Sequence, residues 1–449
     1  MDLEYCDKPE IEGWQLLVHV CRRWRSIVFR SPHFLDLKLC CTPETPVKDT
    51  LDVWPALPLI IEGALDLSSS TDNVITALGQ SNRVCQVGLG GCKLGEVLAA
   101  MQVPFPELTD LQLWSEDETP VVIPDSFLGG SAPRLRFLTL DSISFPGLPK
   151  LLLSATHLVK LHLYDIPHFA YISPQAIVAL LSNSMLSSLE SLGLGFRTPQ
   201  SRPDWESPSL PPPKRSILSA LTEFRFKGVT EYLEELMTRI DTPQLIKMNI
   251  TLFNQIDFHC PRLAQFINCT PTLRSPDEAH MEFDDSTDGV TLRYRTSKFH
   301  FDNLLICISC GEPDWQLSSI EQVCNWSLPP LFTVEALYIV HRYSELVWKN
   351  EVIENTLWLQ VLLPFTGVKD LYLSKEFAPG IATALRELVG GRITEVLPGL
   401  QNIFVEGLEL PTISSIFQEN IEQFVAARQL SEHPIAVSDW NRDLNSVLI

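Results

Sequence analysis

LTDLQL, the segment from Leu108 to Leu113, has apolar residues at its first, fourth and sixth positions. Leu111 and Leu113 flank Gln112. Because successive side chains of a strand point to opposite faces, the segment predicts a short strand with one apolar face. The same pattern recurs along the chain at intervals of 23 to 34 residues, except for one longer gap. The central residues of the copies are Val87, Leu111, Leu138, Leu161, Leu192, Phe224, Met248, Leu304, Leu337, Leu371 and Ile403.

A single strand of this kind cannot bury its apolar face, whereas stacked copies form a continuous core beneath a parallel sheet. The period and the L-x-x-L-x-L shape are typical of leucine-rich repeats. Between the strands, segments 173–185, 230–240 and 378–391 carry apolar residues at helical spacing. We therefore predict an α/β fold, a leucine-rich-repeat-like solenoid with a parallel sheet on its concave face and helices outside.

The repeats are expected to be irregular. The position that usually holds Asn or Cys is occupied by Cys92 in one coil and by an apolar residue such as Ile143 in others. Between residues 250 and 301 the repeat signal weakens, although HMEFDD (His280–Asp285) and GVTLRYRT (Gly289–Thr296) alternate as strands do. The register of these two strands cannot be predicted from the pattern.

Composition and charge exclude several classes of protein. The chain has 449 residues, 55 acidic and 34 basic, and a formal net charge of −21. Such a chain repels phosphate, so we expect no nucleic-acid partner. No apolar stretch of about 18 residues predicts a membrane span, and the acidic N-terminus is unlike a signal peptide. The 11 cysteines are then expected to be reduced thiols, and the protein to be cytoplasmic and/or nuclear.

Motifs for catalysis or metal binding are missing from the sequence. It contains no Gly-x-Ser-x-Gly, His-Glu-x-x-His or kinase motif. CISCGE (Cys307–Glu312) resembles half of a zinc site but alternates as a strand, so buried thiols are the preferred interpretation. We predict a non-enzymatic protein with no catalytic residues, cofactor or metal.

VCRRWRSIVF, from Val20 to Phe29, predicts an amphipathic helix. Leu17, Val20, Trp24 and Val28 share one helical face, so the helix is expected to bury Trp24 and leave its arginines in solvent. Ser31-Pro32 then predicts a stop and a new helical start.

The sequence LLVHVCRRWRSIVFRSPHFLDL, residues 16–37, resembles the second half of an F-box. In that family the module docks on the Skp adaptor of cullin-RING ubiquitin ligases. The Leu-Pro turn and first helix that open the module are not found before Val20, so we expect either a truncated F-box or a true start that lies upstream. The residues that the resemblance assigns to the F-box core are Leu17, Val20, Cys21, Trp24, Pro32 and Leu35.

Nearly the whole chain resembles the F-box and leucine-rich-repeat proteins of mushroom-forming (basidiomycete) fungi. The segments that carry this resemblance are 221–243 and 413–437. It implies a substrate receptor that holds an unknown protein target on the repeats and binds a Skp-type adaptor and cullin. The alternative is a stand-alone interaction or scaffold protein with no ligase link. The expected organisation is a partial F-box at 1–40, a solenoid at 41–430 with a proline-rich loop at 197–216, and a tail at 431–449.

Residues between the apolar positions of each strand must point away from the core. Stacking aligns them on one surface, and aromatic residues and arginine often carry interface energy. The target could also contact the proline-rich loop, and the aromatic residues could instead pack on one another across neighbouring strands. The candidate target-binding residues are Trp114, His162, Tyr164, Arg225, Tyr338, Tyr372 and Phe404.

Overall fold

The computed structural model divides the chain into two compact units, residues 1–200 with 216–221 and residues 201–215 with 222–449. Each unit is described by itself. The described residues are 17, 20–30, 37–65, 68–117, 121–146, 148–181, 187–199, 215–253, 260–284, 289–296, 301–309, 313–325, 330–342, 355–388, 392–408 and 415–441.

The first unit contains a run of parallel strands, and each strand begins near one apolar repeat position. Leu111 on one strand aligns with Leu138 on the next, and Leu161 aligns with Leu192. These leucines are buried, so the alternating pattern forms a continuous core as predicted. In spatial order the strands of this run are β1 (Leu37–Cys40), β2 (Leu59–Ala64), β3 (Val84–Gly91), β4 (Asp110–Ser115), β6 (Phe137–Asp141), β8 (Lys160–Ile166) and β9 (Ser191–Phe196). Outside this run, the short strands β5 (Val121–Val122) and β7 (Ile143–Ser144) pair with each other, and β10 spans Ser216–Ile217.

Helices connect these strands and bury apolar side chains, for example Val97 and Leu98 in one helix and Ile177 and Leu181 in another. The helix predicted at 173–185 is confirmed over Pro174–Leu181, and residues 182–185 lie outside the described residues. The helices of the first unit are α1 (Arg22–Phe29), α2 (Val47–Val53), α3 (Ser68–Leu78), α4 (Leu94–Ala100), α5 (Leu148–Ser154) and α6 (Pro174–Leu181).

The second unit has its own run of strands, which is parallel except around one inserted hairpin. The alternating segments near His280 and Gly289 form this hairpin, and its second strand is antiparallel to both of its neighbours. The spatial order is β11 (Glu223–Gly228), β13 (Lys247–Leu252), β16 (Leu304–Ser309), β15 (Gly289–Arg295), β14 (Glu278–Asp284), β17 (Ala336–His341), β18 (Asp370–Leu373), β19 (Asn402–Glu406) and β20 (Ala436–Trp440), and β12 spans Ile240–Asp241.

Of the helices predicted at 230–240 and 378–391, the second unit forms Thr230–Met237 and Ala378–Arg386, while Ile240 lies in a short strand. One carboxylate links two helices of this unit: Glu234 accepts hydrogen bonds from the backbone N–H groups of Arg262 (2.9 Å) and Leu263 (2.7 Å). These N–H groups open a helix and have no partner within it, so Glu234 caps that helix end. The helices are α7 (Thr230–Met237), α8 (Pro261–Cys269), α9 (Pro313–Asn325), α10 (Asn355–Leu362), α11 (Ala378–Arg386) and α12 (Ser415–Leu430).

The structure corrects two predicted boundaries. The segment 1–40 was expected to be helical, but β1 occupies Leu37–Cys40 and pairs with β2. Residues 431–449 were expected to be a tail, but β20 pairs with β19 at Ala436–Trp440. Both errors arise because a strand at the end of an array has one neighbour and can lack the full leucine pattern. Of the proline-rich loop 197–216, residues 200–214 lie outside the described residues.

The expected burial of Trp24 is wrong. Trp24 is 45% exposed and Val20 64% exposed, whereas Val28, from the same stripe, is buried. Val28 packs with Leu37 and Leu59, and the aromatic ring that packs on this cluster belongs to Trp54. The tryptophan that contributes to this cluster is therefore Trp54 and not Trp24.

The described cysteines are free except Cys40, which is disulfide-bonded. The expectation of reduced thiols throughout is therefore wrong at Cys40. Burial raises the pKa of the Cys41 thiol to about 12, so this neighbouring thiol is protonated and unreactive at neutral pH. In the part of the chain that the structure describes, no helix is long and apolar enough to cross a bilayer.

Gly367, in the turn before β18, is required by a close backbone contact. A Cβ at this position would collide with the carbonyl oxygen of Phe332. We expect Gly367→Ala to lower the free energy of unfolding by about 2–3 kcal/mol, since backbone must move to relieve the collision. Gly95, near the start of α4, is the matched control because nothing lies within 4 Å of the Cβ it would gain. Gly95→Ala should be neutral or stabilising by up to about 1 kcal/mol.

Urea unfolding of the two alanine variants measures both effects. Equal stabilities for the two variants would show that the Phe332 carbonyl does not constrain residue 367.

Candidate functional site

Four rings stack across the sheet face opposite the buried apolar residues of the second unit. His280, Tyr338, Tyr372 and Phe404 lie on β14, β17, β18 and β19 and are aligned in register. The centroids of neighbouring rings are 4.2 Å apart for His280 and Tyr338, 4.2 Å for Tyr338 and Tyr372, and 4.6 Å for Tyr372 and Phe404. The interplanar angles of these pairs are 5°, 9° and 11°. These four residues are called the aromatic row. Three of them were candidates from the sequence, and the expectation that such rings pack on one another is confirmed for them.

Trp440 adds a fifth ring to this face. It lies on β20, and its centroid is 5.4 Å from that of Tyr372 and 6.0 Å from that of Tyr338. Its ring is inclined by 67° and 58° to these two, so it abuts the row rather than extending the stack. Sequence reasoning missed Trp440 because β20 was assigned to the tail. The alternation of Ala436, Ser438 and Trp440 was the available signal.

Two carboxylates border the aromatic row on the same face. Glu278 and Asp370 are separated in register by Ala336 alone, because β14 pairs with β17 and β17 with β18. The Nδ2 of Asn402 donates a 2.7 Å hydrogen bond to Asp370. The interaction with His280, whose Nε2 is 3.7 Å from a Glu278 oxygen, lowers the pKa of Glu278, which is therefore ionised at neutral pH.

The two tyrosine hydroxyls of the row lie near these carboxylates. Burial raises the pKa of Tyr338 most, and the neighbouring Tyr372, Glu278 and Asp370 raise it further. Burial also raises the pKa of Tyr372. Both phenols stay protonated across the physiological range and present hydroxyls, not phenolates, to any partner.

Arg225 is not part of the aromatic row. It aligns with the row in register, but Asn249, Leu305 and Arg293 intervene before His280. Its guanidinium bonds Glu223 at 2.8 and 2.9 Å. The pairs Arg293–Glu282 (2.8 Å) and Arg295–Asp302 (2.6 Å) follow on this side of the sheet. The cations near β15 are thus matched by carboxylates.

His162, in the first unit, was expected to contact a target, and the structure contradicts this. Its side chain is 1% exposed. Its Nε2 is hydrogen-bonded to the Ser191 hydroxyl and its Nδ1 to the Tyr164 hydroxyl, both at 2.9 Å. Gly193 on the next strand makes this possible, since a Cβ there would lie 3.0 Å from the ring of His162. His162 therefore positions Tyr164 and is not itself a contact surface.

Trp114 lies on the same face of the first unit as Tyr164. Its indole rests on Gly90, where any Cβ would overlap the ring. Both side chains are partly exposed, so they remain candidates within their own unit. They belong to the first unit, whereas the aromatic row belongs to the second.

The F-box candidates are only partly described. Leu17, Val20, Cys21 and Trp24 are all exposed, and Pro32 and Leu35 lie outside the described residues. Among the described residues, no group of His, Cys, Asp or Glu is arranged to hold a metal ion.

No protein-family model matches the sequence, and no curated protein matches it significantly. Among solved structures, the chain is similar to the leucine-rich repeat-containing protein LegL7 from Legionella pneumophila. The identity is 14%, the TM-score is 0.29, and the match covers 87% of this chain and 97% of that chain. The leucine-rich-repeat-like fold is therefore assigned from the repeats and strand register of the chain itself.

Proposed function

We propose that this protein is a non-enzymatic interaction module that binds a protein target through the aromatic row. The observation that carries the proposal is the cross-strand stacking of His280, Tyr338, Tyr372 and Phe404, with part of each ring system exposed. Rings already held in place lose little conformational entropy on binding, and tyrosine and tryptophan are the residues that most often dominate interface energies.

The row can be tested by replacing two of its rings. Tyr338→Ser with Tyr372→Ser should weaken binding of a purified target at least 30-fold, because two central aromatic contacts are lost. Targets would be identified by crosslinking and mass spectrometry in the source cells, and affinity then measured by calorimetry with the purified partner. Phe332→Ser is the matched control, since Phe332 is exposed on the same unit but lies outside the row. A folded double variant with unchanged affinity would refute this binding surface.

A second candidate role, as a substrate receptor of a cullin-RING ubiquitin ligase, is favoured by one observation. Val20 just before α1 and Trp24 on this helix are exposed, and they are the first and last residues of the Val-Cys-Arg-Arg-Trp sequence that resembles part of an F-box. An exposed apolar helix face is typical of a docking segment. In this role the helix would bind a Skp-type adaptor, and the protein would act in the cytoplasm or nucleus.

Binding of the purified adaptor–cullin pair tests this role directly. Trp24→Asp should abolish binding and Arg23→Ala should preserve it. If the wild-type chain binds neither protein, the result would favour the stand-alone interaction protein. It would not count against the aromatic row as a binding surface.

A further inference from the structure

We infer that the aromatic row recognises a positively charged segment of its protein target, with an arginine side chain seated between Glu278 and Asp370. This inference rests on the proposed function and names the chemistry of the partner. It is carried by the arrangement of two carboxylates and two hydroxyls around a single alanine.

Ala336 forms the floor of a gap between the two carboxylates. It is the residue of β17 that aligns with Glu278 on one side and Asp370 on the other. Two strand spacings separate the backbones of Glu278 and Asp370 by about 10 Å. A methyl group leaves this space open, and Tyr338, two residues further along β17, closes one side of it. In the inferred complex, one planar cationic head group lies between the carboxylates.

The gap is negatively charged. On the side of Glu278 this charge is opposed by His280, whose Nε2 lies 3.7 Å from a Glu278 oxygen, and by the charge of Arg295, and both lower the pKa of Glu278. Within the described part of the chain, Asp370 has a hydrogen bond from Asn402 but no cationic partner. Arg295 is opposite Glu278 in register, yet its Nε bonds Asp302 at 2.6 Å. Lys369 bonds Glu335 at 2.8 Å. Arg295 and Lys369 thus each bond a carboxylate outside the gap, so an arriving guanidinium would find hydrogen-bond acceptors on both Glu278 and Asp370.

Arginine matches this set of acceptors because its guanidinium has five donors in one plane. Its plane can also lie against aromatic rings, which the edge of the row and Trp440 provide. An acidic segment would be repelled by Glu278 and Asp370. A second copy of this chain is disfavoured as the occupant, since each copy has a formal net charge of −21.

Fluorescence anisotropy with two labelled peptides tests the inference on the full chain. The probe is a Gly-Ser peptide with four arginines. The control peptide has citrulline, the neutral isostere of arginine, at the same four positions. The arginine peptide should bind and the citrulline peptide should bind at least tenfold more weakly. Glu278→Gln with Asp370→Asn should weaken arginine binding about tenfold or more, because charge-assisted hydrogen bonds are lost.

Two further variants separate a specific site from general attraction. Ala336→Leu keeps every charge but fills the gap, and it should weaken arginine binding by a similar factor. Glu107→Gln with Glu395→Gln makes the same charge change at exposed sites away from the row, and it should have little effect. Circular dichroism would establish that each variant is folded.

Three results would overturn the inference. The arginine and citrulline peptides could bind the wild-type chain equally, and both could lose binding in the Tyr338→Ser, Tyr372→Ser variant. This result would keep the row as a binding surface but show that it does not recognise positive charge. Equal weakening by the two charge variants would mean general attraction to an acidic chain. No binding of the arginine peptide would exclude the seat between Glu278 and Asp370, whereas the proposed function would still be judged on the natural target.

Discussion

Replacing Arg428 with methionine is expected to lower the free energy of unfolding by about 3–5 kcal/mol. The Arg428 side chain is fully buried in α12. Its guanidinium donates hydrogen bonds of 3.2 to 3.5 Å to the carbonyl oxygens of Ile393, Leu397, Pro398 and Leu400. Methionine fills much of the same volume but donates nothing, so buried carbonyl groups would lose their partners. The loss should be measured by urea unfolding.

The matched control is Arg392→Met. Arg392 is 64% exposed and pairs with Glu395 at 2.7 Å, and exposed ion pairs contribute at most about 1 kcal/mol. Arg428→Lys should give an intermediate loss, since an ammonium group keeps the charge but cannot reach four carbonyls at once. An Arg428→Met protein as stable as Arg392→Met would show that solvent or neighbouring groups replace the lost bonds.

Trp358→Ala should cost about 3–5 kcal/mol, as large-to-small changes in a core do. Trp358, on α10, is 2% exposed and lies against Phe377 and Phe283, with centroid distances of 5.7 and 6.2 Å. The same substitution at Trp24 removes the same atoms from a partly exposed site. Trp24→Ala should therefore cost less than about 1.5 kcal/mol.

Thermal unfolding of the two alanine variants, side by side, measures the difference between a buried and an exposed tryptophan. Equal losses would show that Trp24 stabilises the fold as much as a buried tryptophan does, which would contradict its exposed position.

The strands were largely predictable because alternation is a local property. Each copy of L-x-x-L-x-L, from Val87 to Ile403, marks a strand, and the two alternating apolar residues of its L-x-L part are buried. The same reasoning placed Tyr338, Tyr372 and Phe404 on the face opposite the core. Their stacking follows from register, since parallel strands of matching pattern align equivalent positions.

Other features could not be predicted because they depend on partners distant in sequence. His280 joins the row only because the β14–β15 hairpin inserts in reverse order, which sets β14 beside β17. The ring of His162 has room to pack on β9 because its neighbour on that strand, Gly193, has no side chain. Trp24 is exposed, whereas Trp54, which is distant from it in sequence, packs on the cluster of Val28, Leu37 and Leu59.

The amino-acid sequence by itself determined that this chain forms repeated strand-and-helix coils, since one apolar face per strand must be buried by stacking. It also determined which side chains point away from the core. Only the tertiary structure decided which of these outward residues meet. It set Glu278 and Asp370 on either side of Ala336, placed Trp440 against Tyr372, and separated Arg225 from the row. The reason is that side-chain direction depends on neighbours within a strand, whereas the order of strands depends on how the whole chain is packed.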